Sequence, residues 1–392
     1  MAALLTFEQA QEQVLARARP LSVEDVPVGE ARERVLAEAV RALVDLPPFA
    51  SSAMDGFAVR AGDLPGALTV VGRVAAGRPA QRSLATGEAM AISTGGVVPE
   101  GADAVIPVEY VVEHDNSIEV EGSLATGANI RPRGGDVEAG TVVVDAGIRV
   151  GPAQLGAIAA VGVVRVSCAR RPRVAVLATG SELARPGETL RAGQIYESNT
   201  VMLAAALAAE ADVELMPPVA DDEAAHRAAL ERGLSADVLV TSGGVSVGPH
   251  DLVRAVEREL GVEEMFWRVA MRPGKPVSFG VRDATLVFGL PGNPVSSLVG
   301  CELFVKPALR ALQGLRDPLP RFAPGVLGAA MRRNPERDDF ARARVDADGR
   351  LEPLTGQESH MIARTAGANA LVHIPRGNGE LPAGSPVRWL AL

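Results

Sequence analysis

V-L-V-T-S-G-G-V-S-V-G, residues 238–248, joins a short apolar run to a glycine-rich loop. The apolar run is long enough for one buried strand, and the pattern predicts a helix over His250–Leu260 directly after the loop. The same order of strand, loop and helix recurs on both sides of this stretch. Because strands that alternate with helices and read as continuously apolar are typical of a parallel sheet covered on both faces, we predict a central α/β domain.

The middle of the chain, residues 171–317, repeats this unit. The predicted strands are Arg173–Ala178, Val213–Val219, Val238–Thr241 and Leu286–Gly289, and the predicted helices are Ser198–Ala209, Asp222–Gly233, His250–Leu260 and Pro294–Leu312. Asp222 and Asn293 are candidate N-caps, and Pro294 suits the first helical position. We expect a doubly wound, mostly parallel sheet in this segment.

The segment before the α/β unit mixes helices with short strands. A capping box of Thr6 and Gln9 predicts an amphipathic helix at the start, and a second helix is predicted over Glu30–Val40. Residues 43–150 then alternate short β-rich runs with clusters of Gly, Pro, Asp and Asn. A helix over Pro152–Val161, with proline in its first turn, closes this β-rich region.

Two further stretches are predicted to be β structure. H-D-N-S at residues 114–117 is typical of a hairpin turn between two strands. Residues 318–392 carry short strands and turns with no clear helix. We therefore expect a small β-barrel or sandwich as the C-terminal domain, which makes the chain a multidomain α/β plus β protein.

Composition excludes several classes of protein. The chain has 392 residues, 47% hydrophobic and 22% charged, which suits a soluble protein of several domains. A net charge of -9 and only 3% aromatic residues argue against nucleic acid as a partner. The most apolar stretch, residues 157–169, is interrupted by Arg165 and too short for a bilayer, so no membrane partner is expected.

The cysteines and the N-terminus predict a cytoplasmic protein. Cys168 and Cys301 stand far apart in apolar surroundings, without the spacing of a zinc site or a CxxC motif. We interpret both as small core residues. Met1–Phe7 lacks the basic and apolar pattern of a signal peptide.

Every predicted strand of the middle segment is followed by a loop rich in Gly, Pro, hydroxyls or charge. In an open α/β sheet, ligands bind outside the carboxyl ends of the strands. The loops at 242–248 and 290–297 each precede a helix, so either could hold a phosphate, although a plain turn is the simpler interpretation of each alone. Carboxylates beside phosphate sites commonly hold magnesium. The candidates here are Glu182, Asp221 and Asp251.

A turn at residues 272–276, R-P-G-K-P, adds positive charge near the same edge. Of the 39 basic residues only Lys275 and Lys306 are lysines, so Lys275 stands out in a chain that otherwise uses arginine. A compact ammonium differs from a planar guanidinium in how it approaches an anion. We expect Arg272 and Lys275 to bind an oxyanion, although such a turn alone is usually solvated surface.

Several of these stretches, taken in order, resemble molybdopterin molybdenumtransferases, a family also found in the E domain of gephyrin-like proteins. The matching motifs are S-A-M-D-G-F-A-V at 52–59, T-G at 94–95, R-P-R-G-G-D at 131–136, T-G-S-E-L at 179–183, S-G-G-V-S-V-G at 242–248, R-P-G-K-P at 272–276 and G-L-P-G-N-P-V-S at 289–296. The middle segment is separately similar to the pterin-adenylyltransferase fold. Arg272 stands where lysine is common in the family, and Phe57 where tyrosine is common.

The resemblance implies a division of the chain and a reaction. The first domain is residues 1–170, which form two interleaved subdomains: roughly 1–45 together with 145–170, and 46–144. Residues 171–317 are the molybdopterin-binding domain, and residues 318–392 are the barrel. The reaction takes molybdate and adenylated molybdopterin as substrates, leaves molybdenum on the dithiolene and releases AMP with the help of Mg²⁺. The family also implies transient contact with the adenylyltransferase or with acceptor molybdoenzymes.

The resemblance assigns roles residue by residue. The catalytic candidates are Asp55, Thr94, Asp136, Glu182, Asp221, Asp251 and Lys275, of which Asp251, Glu182 and Asp221 are the metal ligands. The substrate-binding candidates are Thr179, Gly180, Ser181, Ser242, Gly243, Gly244, Ser246, Arg272, Pro291, Asn293, Pro294 and Ser296. The family forms a homodimer, which implies that Asp55 completes a site whose Asp251 comes from the other protomer, with Met54 and Phe57 packed at the interface. Weaker matches point to Arg337, Arg342 and Ser359.

Two other functions remain open from the sequence. A non-catalytic scaffold would use the same domains to bind a peptide, as gephyrin-like proteins do. A molybdopterin adenylyltransferase would need only the middle segment and would leave the first 150 residues without a role.

Overall fold

The computed structural model describes residues 4–219, 222–244 and 252–392. The elements of the first part are α1 Phe7–Arg17, β1 Val23–Pro27, β2 Val40–Arg41, β3 Ser51–Ser52, β4 Gly56–Val59, β5 Gly66–Val74, β6 Glu88–Ile92, β7 Ala104–Pro107, β8 Val112–His114, β9 Ser117–Val120, β10 Ile130–Arg131, β11 Val142–Val144, α2 Pro152–Ala160 and β12 Arg165–Ala169. The capping box of Thr6 and Gln9 starts α1 as predicted.

The helix predicted over Glu30–Val40 is wrong. A short 3-10 turn covers Val28–Glu30, and Glu33 has a left-handed backbone with a φ of 62°. Beyond that point the backbone pairs with distant segments: Leu36 N–H donates to the Ile148 carbonyl at 3.0 Å and Ala37 N–H to the Ser167 carbonyl at 2.9 Å. Pairing with residues more than 100 positions away therefore overrides the local helical spacing.

The β-rich region forms its own sheet. Six strands lie in the order β7-β4-β6-β5-β9-β8, and the apolar side chains between them form a separate core. The predicted hairpin at residues 114–117 is confirmed, because β8 and β9 are antiparallel with His114 opposite Ser117. Phe57 on β4 is buried in this core. The expectation that Phe57 packs at a subunit interface is therefore wrong.

The central segment is built on a six-stranded sheet. Its elements are β13 Arg173–Ala178, β14 Leu183–Ala184, β15 Ile195–Tyr196, α3 Asn199–Leu207, β16 Asp212–Leu215, α4 Glu223–Gly233, β17 Val238–Ser242, α5 Leu252–Glu259, β18 Glu263–Trp267, β19 Met271–Arg272, β20 Ser278–Arg282, β21 Thr285–Leu290, α6 Pro294–Gly300 and α7 Lys306–Leu312, with a π-helical turn over Cys301–Val305 between the last two. The predicted alternation and the predicted parallel pairing are confirmed for β16, β13, β17 and β21.

Two strands of this sheet were not predicted. β20 and β18 extend it in antiparallel fashion beyond β21, so the sheet is mostly but not wholly parallel. Apolar cores lie on both faces, because neighbouring residues of β13 and β17 point to opposite sides. The carboxyl ends of β13, β17 and β21 consequently meet at one edge.

The C-terminal segment closes into a barrel. Its elements are β22 Ala323–Leu327, β23 Met331–Arg332, β24 Asp338–Val345, β25 Arg350–Pro353, α8 Ile362–Thr365, β26 Ala370–Ile374, β27 Glu380–Leu381 and β28 Pro386–Ala391. Five strands pair in the closed order β24-β25-β22-β28-β26-β24. β19 from the central segment pairs in parallel with β24 and ties the two domains together. The short helix α8 was not predicted.

α1 joins the domains. Phe7, Ala10 and Val14 lie in the main core of the central domain, and the Gln11 side chain donates to the Leu303 carbonyl at 2.8 Å. The Phe7 ring also meets the barrel residue Phe340 edge-on at a centroid distance of 5.1 Å. The first helix of the chain therefore packs between the central domain and the barrel.

Cys168 and Cys301 are buried, unpaired core residues, as expected, and burial raises the pKa of both thiols. Within the described ranges, no helix combines the length and apolar character needed to cross a membrane.

Candidate functional site

A cavity of about 710 Å³ opens at the carboxyl ends of β13, β17 and β21. The sequence-predicted residues that line it are Thr179, Gly180, Glu182, Ser242, Gly243, Gly244, Pro291, Asn293 and Pro294. An apolar wall of Leu183, Ile195 and Tyr196 faces these polar groups. The prediction that loops converge on one edge is confirmed for the described residues after β13, β17 and β21.

Two glycines are required where the loops come together. Gly243 and Gly244 have φ angles of 101° and 66°, in the left-handed region that other residues rarely adopt. A Cβ at Gly243 would lie 2.6 Å from the Thr179 carbonyl oxygen. Gly243 N–H donates to the Leu290 carbonyl at 3.0 Å, so this amide joins two loops rather than pointing at a ligand.

Ser242 lines the first cavity but is almost fully buried. Its side chain is buried, and its hydroxyl lies 3.2 Å from the Ser297 hydroxyl. The Ser242 hydroxyl is therefore hydrogen-bonded within the protein, and its direct contact with substrate stays a prediction.

A second cavity of about 570 Å³ lies between the turn at 271–276, the start of α6 and the barrel. It shares Pro276, Pro291, Asn293 and His360 with the first cavity, so the two adjoin. Among the predicted residues, Arg272, Lys275 and Ser296 line it. The barrel adds Arg337 and the loop from Gln357 to His360.

The cations of the second cavity differ in how they are paired. Arg272 Nε donates to Asp339 Oδ1 at 2.8 Å, and its Nη2 pairs with Oδ2 of the same carboxylate. Burial raises the pKa of Asp339 above its ordinary value although Arg272 opposes this. In the described ranges neither Lys275 nor Arg337 has a carboxylate within ion-pair distance. Among the described residues, Lys275 and Arg337 are therefore the cations of this cavity without an ion pair, whereas Arg272 is paired with Asp339.

Asn293 connects the two domains across the junction of the cavities. It occupies the N-cap position of α6, but its side chain makes no capping bond. Its amide instead donates to the Ser359 hydroxyl at 2.9 Å, and the Val295 N–H donates to the Ser359 carbonyl. The expected cap is therefore replaced by a bond to the barrel.

The predicted residues of the first part, Asp55, Thr94 and Asp136, line neither cavity. Thr94 N–H donates to Asp55 Oδ1 at 2.8 Å, which joins the turn before β4 to the loop after β6. Met54 beside them is 43% exposed. Asp136 is exposed on the loop after β10, and Ser181 is exposed after β13. Asp221, Ser246 and Asp251 lie outside the described residues.

Comparisons with known proteins identify the family to which the chain belongs. Three family models match in order: the MoeA N-terminal region (domain I and II) over residues 5–162, a probable molybdopterin binding domain over 175–311, and the MoeA C-terminal region (domain IV) over 324–392. Molybdopterin molybdenumtransferase 2 of Mycobacterium tuberculosis is 38% identical, with 99% of both chains covered. The chain belongs to the molybdopterin molybdenumtransferase family. The Haemophilus influenzae molybdopterin molybdenumtransferase is 36% identical over 98% of each chain.

Solved structures of the family agree. The molybdopterin biosynthesis moea protein from Pyrococcus horikosii superposes with a TM-score of 0.84 at 32% identity, with 99% of each chain covered. The similarity extends over all three parts of the chain. Membership in the family gives this protein a role in molybdenum cofactor biosynthesis.

The side chain of Glu182 suits a magnesium ligand. It is exposed at the first cavity and turned back over Gly180, where a Cβ would lie 2.4 Å from Glu182 Oε2. Mg²⁺ prefers one or two carboxylates completed by water and substrate oxygens. In the described part of the chain, Glu182 has no neighbouring His, Cys, Asp or Glu to complete a group of three. Glu182 could thus supply one ligand, with the rest coming from substrate, water and residues outside the described ranges.

Sequence reasoning missed the buried residue Asn199 as a site residue. Asn199 falls within the helix predicted over Ser198–Ala209, and its side chain lines the first cavity. His360 also went unassigned, although it lines both cavities. No local pattern marks either residue, because each acquires its place only when distant loops meet.

Proposed function

We propose that this chain transfers molybdenum from molybdate to adenylated molybdopterin and releases AMP with Mg²⁺ assistance. The observation that carries the proposal is the pair of adjoining cavities, which meet at Pro291, Asn293 and His360. One cavity has glycine-rich loops at the end of a parallel sheet, and the other has two free cations. Two substrates held side by side need such an arrangement, and the names of the family relatives support the chemistry.

In this proposal the first cavity holds the adenylated pterin. Thr179, Gly180 and Gly244 contribute to its polar side, and Leu183 and Tyr196 offer apolar surface to a ring. Ser181 and Ser246 remain proposed substrate contacts from the sequence. Mg²⁺, when bound, would neutralise phosphate charge and favour departure of AMP. Glu182, with Asp221 and Asp251, would hold it.

The second cavity would hold the oxyanion. Lys275 and Arg337 can each approach it without first breaking an ion pair, whereas Arg272 would have to leave Asp339. Lys275 presents a compact charge that a tetrahedral anion can approach from many directions. We therefore assign direct oxyanion contact to Lys275 and Arg337, and to Arg272 the task of fixing the turn that carries Lys275.

The test is anaerobic release of AMP as a function of molybdate concentration. Lys275→Ala should raise the molybdate concentration for half-maximal rate by about 10-fold or more, as expected for the loss of a charged contact worth about 1.5–3 kcal/mol. Lys275→Arg should restore only part of the affinity. Lys306→Ala is the matched control, because Lys306 pairs with Glu302 in the helix that follows α6 and lines neither cavity.

Two results would overturn the proposal. If Lys275→Ala keeps the molybdate dependence of the unmodified protein, Lys275 has only a structural role. Adenylation of molybdopterin from ATP, with no molybdate-dependent release of AMP, would identify an adenylyltransferase instead.

The active site is further proposed to be shared in a homodimer. Asp55 and Thr94 bond to each other, and their exposed neighbour Met54 leaves an apolar surface beside the Asp55 carboxylate. A turn of this kind suits contact with a partner subunit. The family resemblance supports the idea that the partner's central domain receives it.

A further inference from the structure

Asn199 bridges the two glycine-rich loops of the first cavity. It is the first residue of α3 and is 9% exposed. Its Nδ2 donates to the Ser242 hydroxyl at 2.8 Å and to the Gly292 carbonyl at 2.7 Å. Ser242 ends β17 and Gly292 follows β21, so one amide group spans the gap between the ends of two adjacent strands.

The bridge continues below the cavity as a chain of buried hydroxyls. The Ser242 hydroxyl lies 3.2 Å from that of Ser297, and the Ser297 hydroxyl donates to the Pro291 carbonyl. Ser242 and Ser297 are both fully or almost fully buried. Since buried polar groups are costly to leave unpaired, removal of the amide would cost stability because it takes from both the Gly292 carbonyl and the Ser242 hydroxyl the donor that Asn199 supplies.

The position of Asn199 is itself fixed. The Thr200 N–H donates to the Glu197 carboxylate at 2.9 Å, which satisfies one of the free amides in the first turn of α3. Glu197 is buried and lines the same cavity. The helix start therefore presents the Asn199 amide from a rigid support.

We infer that Asn199 is a positioning residue that sets the spacing between the loop after β17 and the loop after β21. Serine or alanine could not span both acceptors, because the bridge needs two N–H groups on one planar nitrogen. The inference rests on the proposed function only where it is tested by the kinetics of AMP release. The spacing of the two loops is tested by hydrogen exchange, which does not depend on that function.

The experiment compares Asn199→Ala with Gln313→Ala. Gln313 is the matched control because its buried Nε2 also donates to two carbonyls, those of Glu210 at 3.0 Å and Leu309 at 3.2 Å, but it lines neither cavity. Hydrogen exchange is measured on peptides covering residues 238–244 and 286–293. Kinetics are measured as AMP release from adenylated molybdopterin at saturating molybdate and magnesium.

The expected result is selective. Asn199→Ala should exchange the Gly243 amide about 10-fold faster and raise the KM for adenylated molybdopterin about 10-fold or more, with a smaller change in kcat. Gln313→Ala should lose global stability without either change. If Asn199→Ala does not fold, Asn199→Ser, which keeps one donor, should give an intermediate exchange rate and an intermediate KM.

The outcomes separate the two proposals. If the unmodified protein releases AMP but the Asn199 variants match Gln313→Ala in exchange and KM, the positioning role is overturned while the function stands. If no AMP is released by any protein yet the loops exchange faster only in the Asn199 variants, the proposed function fails and the positioning role is supported.

Discussion

At the scale of single residues, Arg342 of the barrel is the largest side chain that is fully buried among the described residues. Its side chain is 1% exposed and donates to the carbonyls of Met361 at 2.8 Å and Gly356 at 2.6 Å and to the Thr365 hydroxyl at 2.8 Å. Burial lowers the pKa of Arg342 from its ordinary value. These bonds shape the loop at 357–360 that lines the second cavity. Arg342 is not among the residues that line either cavity, so we expect it to support the site rather than to contact substrate.

Arg342→Met should therefore destabilise the protein by about 3 kcal/mol, because three buried or partly buried acceptors lose a charged donor at once. Arg342→Lys should recover only part of this, since an ammonium cannot reproduce the planar fork. Unfolding in urea, followed by circular dichroism, measures the change. Arg344→Met, an exposed arginine on the same strand, is the control and should alter stability by less than about 0.5 kcal/mol. Equal losses for the two Met variants would contradict the assigned role.

At the scale of elements, Glu210 joins the first part to the central domain. It follows α3 and accepts from Arg310 Nε of α7 at 2.9 Å and from Arg149 Nη2 of the loop before α2 at 2.5 Å. Burial alone would raise the pKa of Glu210, but the two guanidinium groups outweigh it and hold this pKa below the ordinary value. Three elements from two parts of the chain therefore share one ionised carboxylate.

The sign of the pKa shift gives a pH prediction. A carboxylate whose pKa is lowered on folding stabilises the protein above its unfolded pKa, near 4.5, and loses that contribution as pH falls through the folded value. Glu210→Gln should cost about 1–3 kcal/mol at pH 7, and the difference from the unmodified protein should shrink below pH 4. Urea unfolding at pH 7, 5 and 3.5 measures it. Asp212→Asn is the control, because the Asp212–Arg171 pair is exposed. A pH-independent deficit in Glu210→Gln would refute the ionic role.

Elements differ in how far the sequence could predict them. β13, β17 and β21 each carry an apolar run with a clear end, so their positions and the loops behind them were predictable. β18 contains two glutamates and is the edge strand of the sheet. Because most of its residues are not buried, its sequence lacks the continuous apolar run of the central strands. The bridge made by Asn199 depends on contacts with residues 43 and 93 positions away, which no local spacing contains.

At the scale of the whole molecule, the division at residues 170 and 317 remains a prediction, because contacts cross both boundaries. α1 packs on the central domain and the barrel, and β19 pairs with β24. The proposed shared site adds a second chain to this arrangement. The Asp55–Thr94 pair and the cavity that contains Lys275 would then act across a subunit boundary.

Mixing Asp55→Ala and Lys275→Ala proteins under subunit exchange tests the shared site, at a molybdate concentration too low for either variant alone to release AMP. In a two-fold dimer with shared sites, each mixed dimer regains one intact site, so random exchange should restore about a quarter of the starting activity. Light scattering confirms that each variant alone is dimeric. A mixture that exchanges subunits but stays inactive would show that both residues serve the same protomer's site, or that Asp55 only stabilises its own turn.

The placement of α1 has a consequence for synthesis on the ribosome. Phe7 leaves the exit tunnel long before its aromatic neighbours Phe340 and His373, which are made more than 330 residues later. At a translation rate of about 5–20 residues per second, the apolar face of α1 waits roughly 20–70 s for them. During that interval a nascent-chain chaperone can bind the exposed Phe7, Ala10 and Val14, so the core around Phe7 can be completed only after the barrel has been translated.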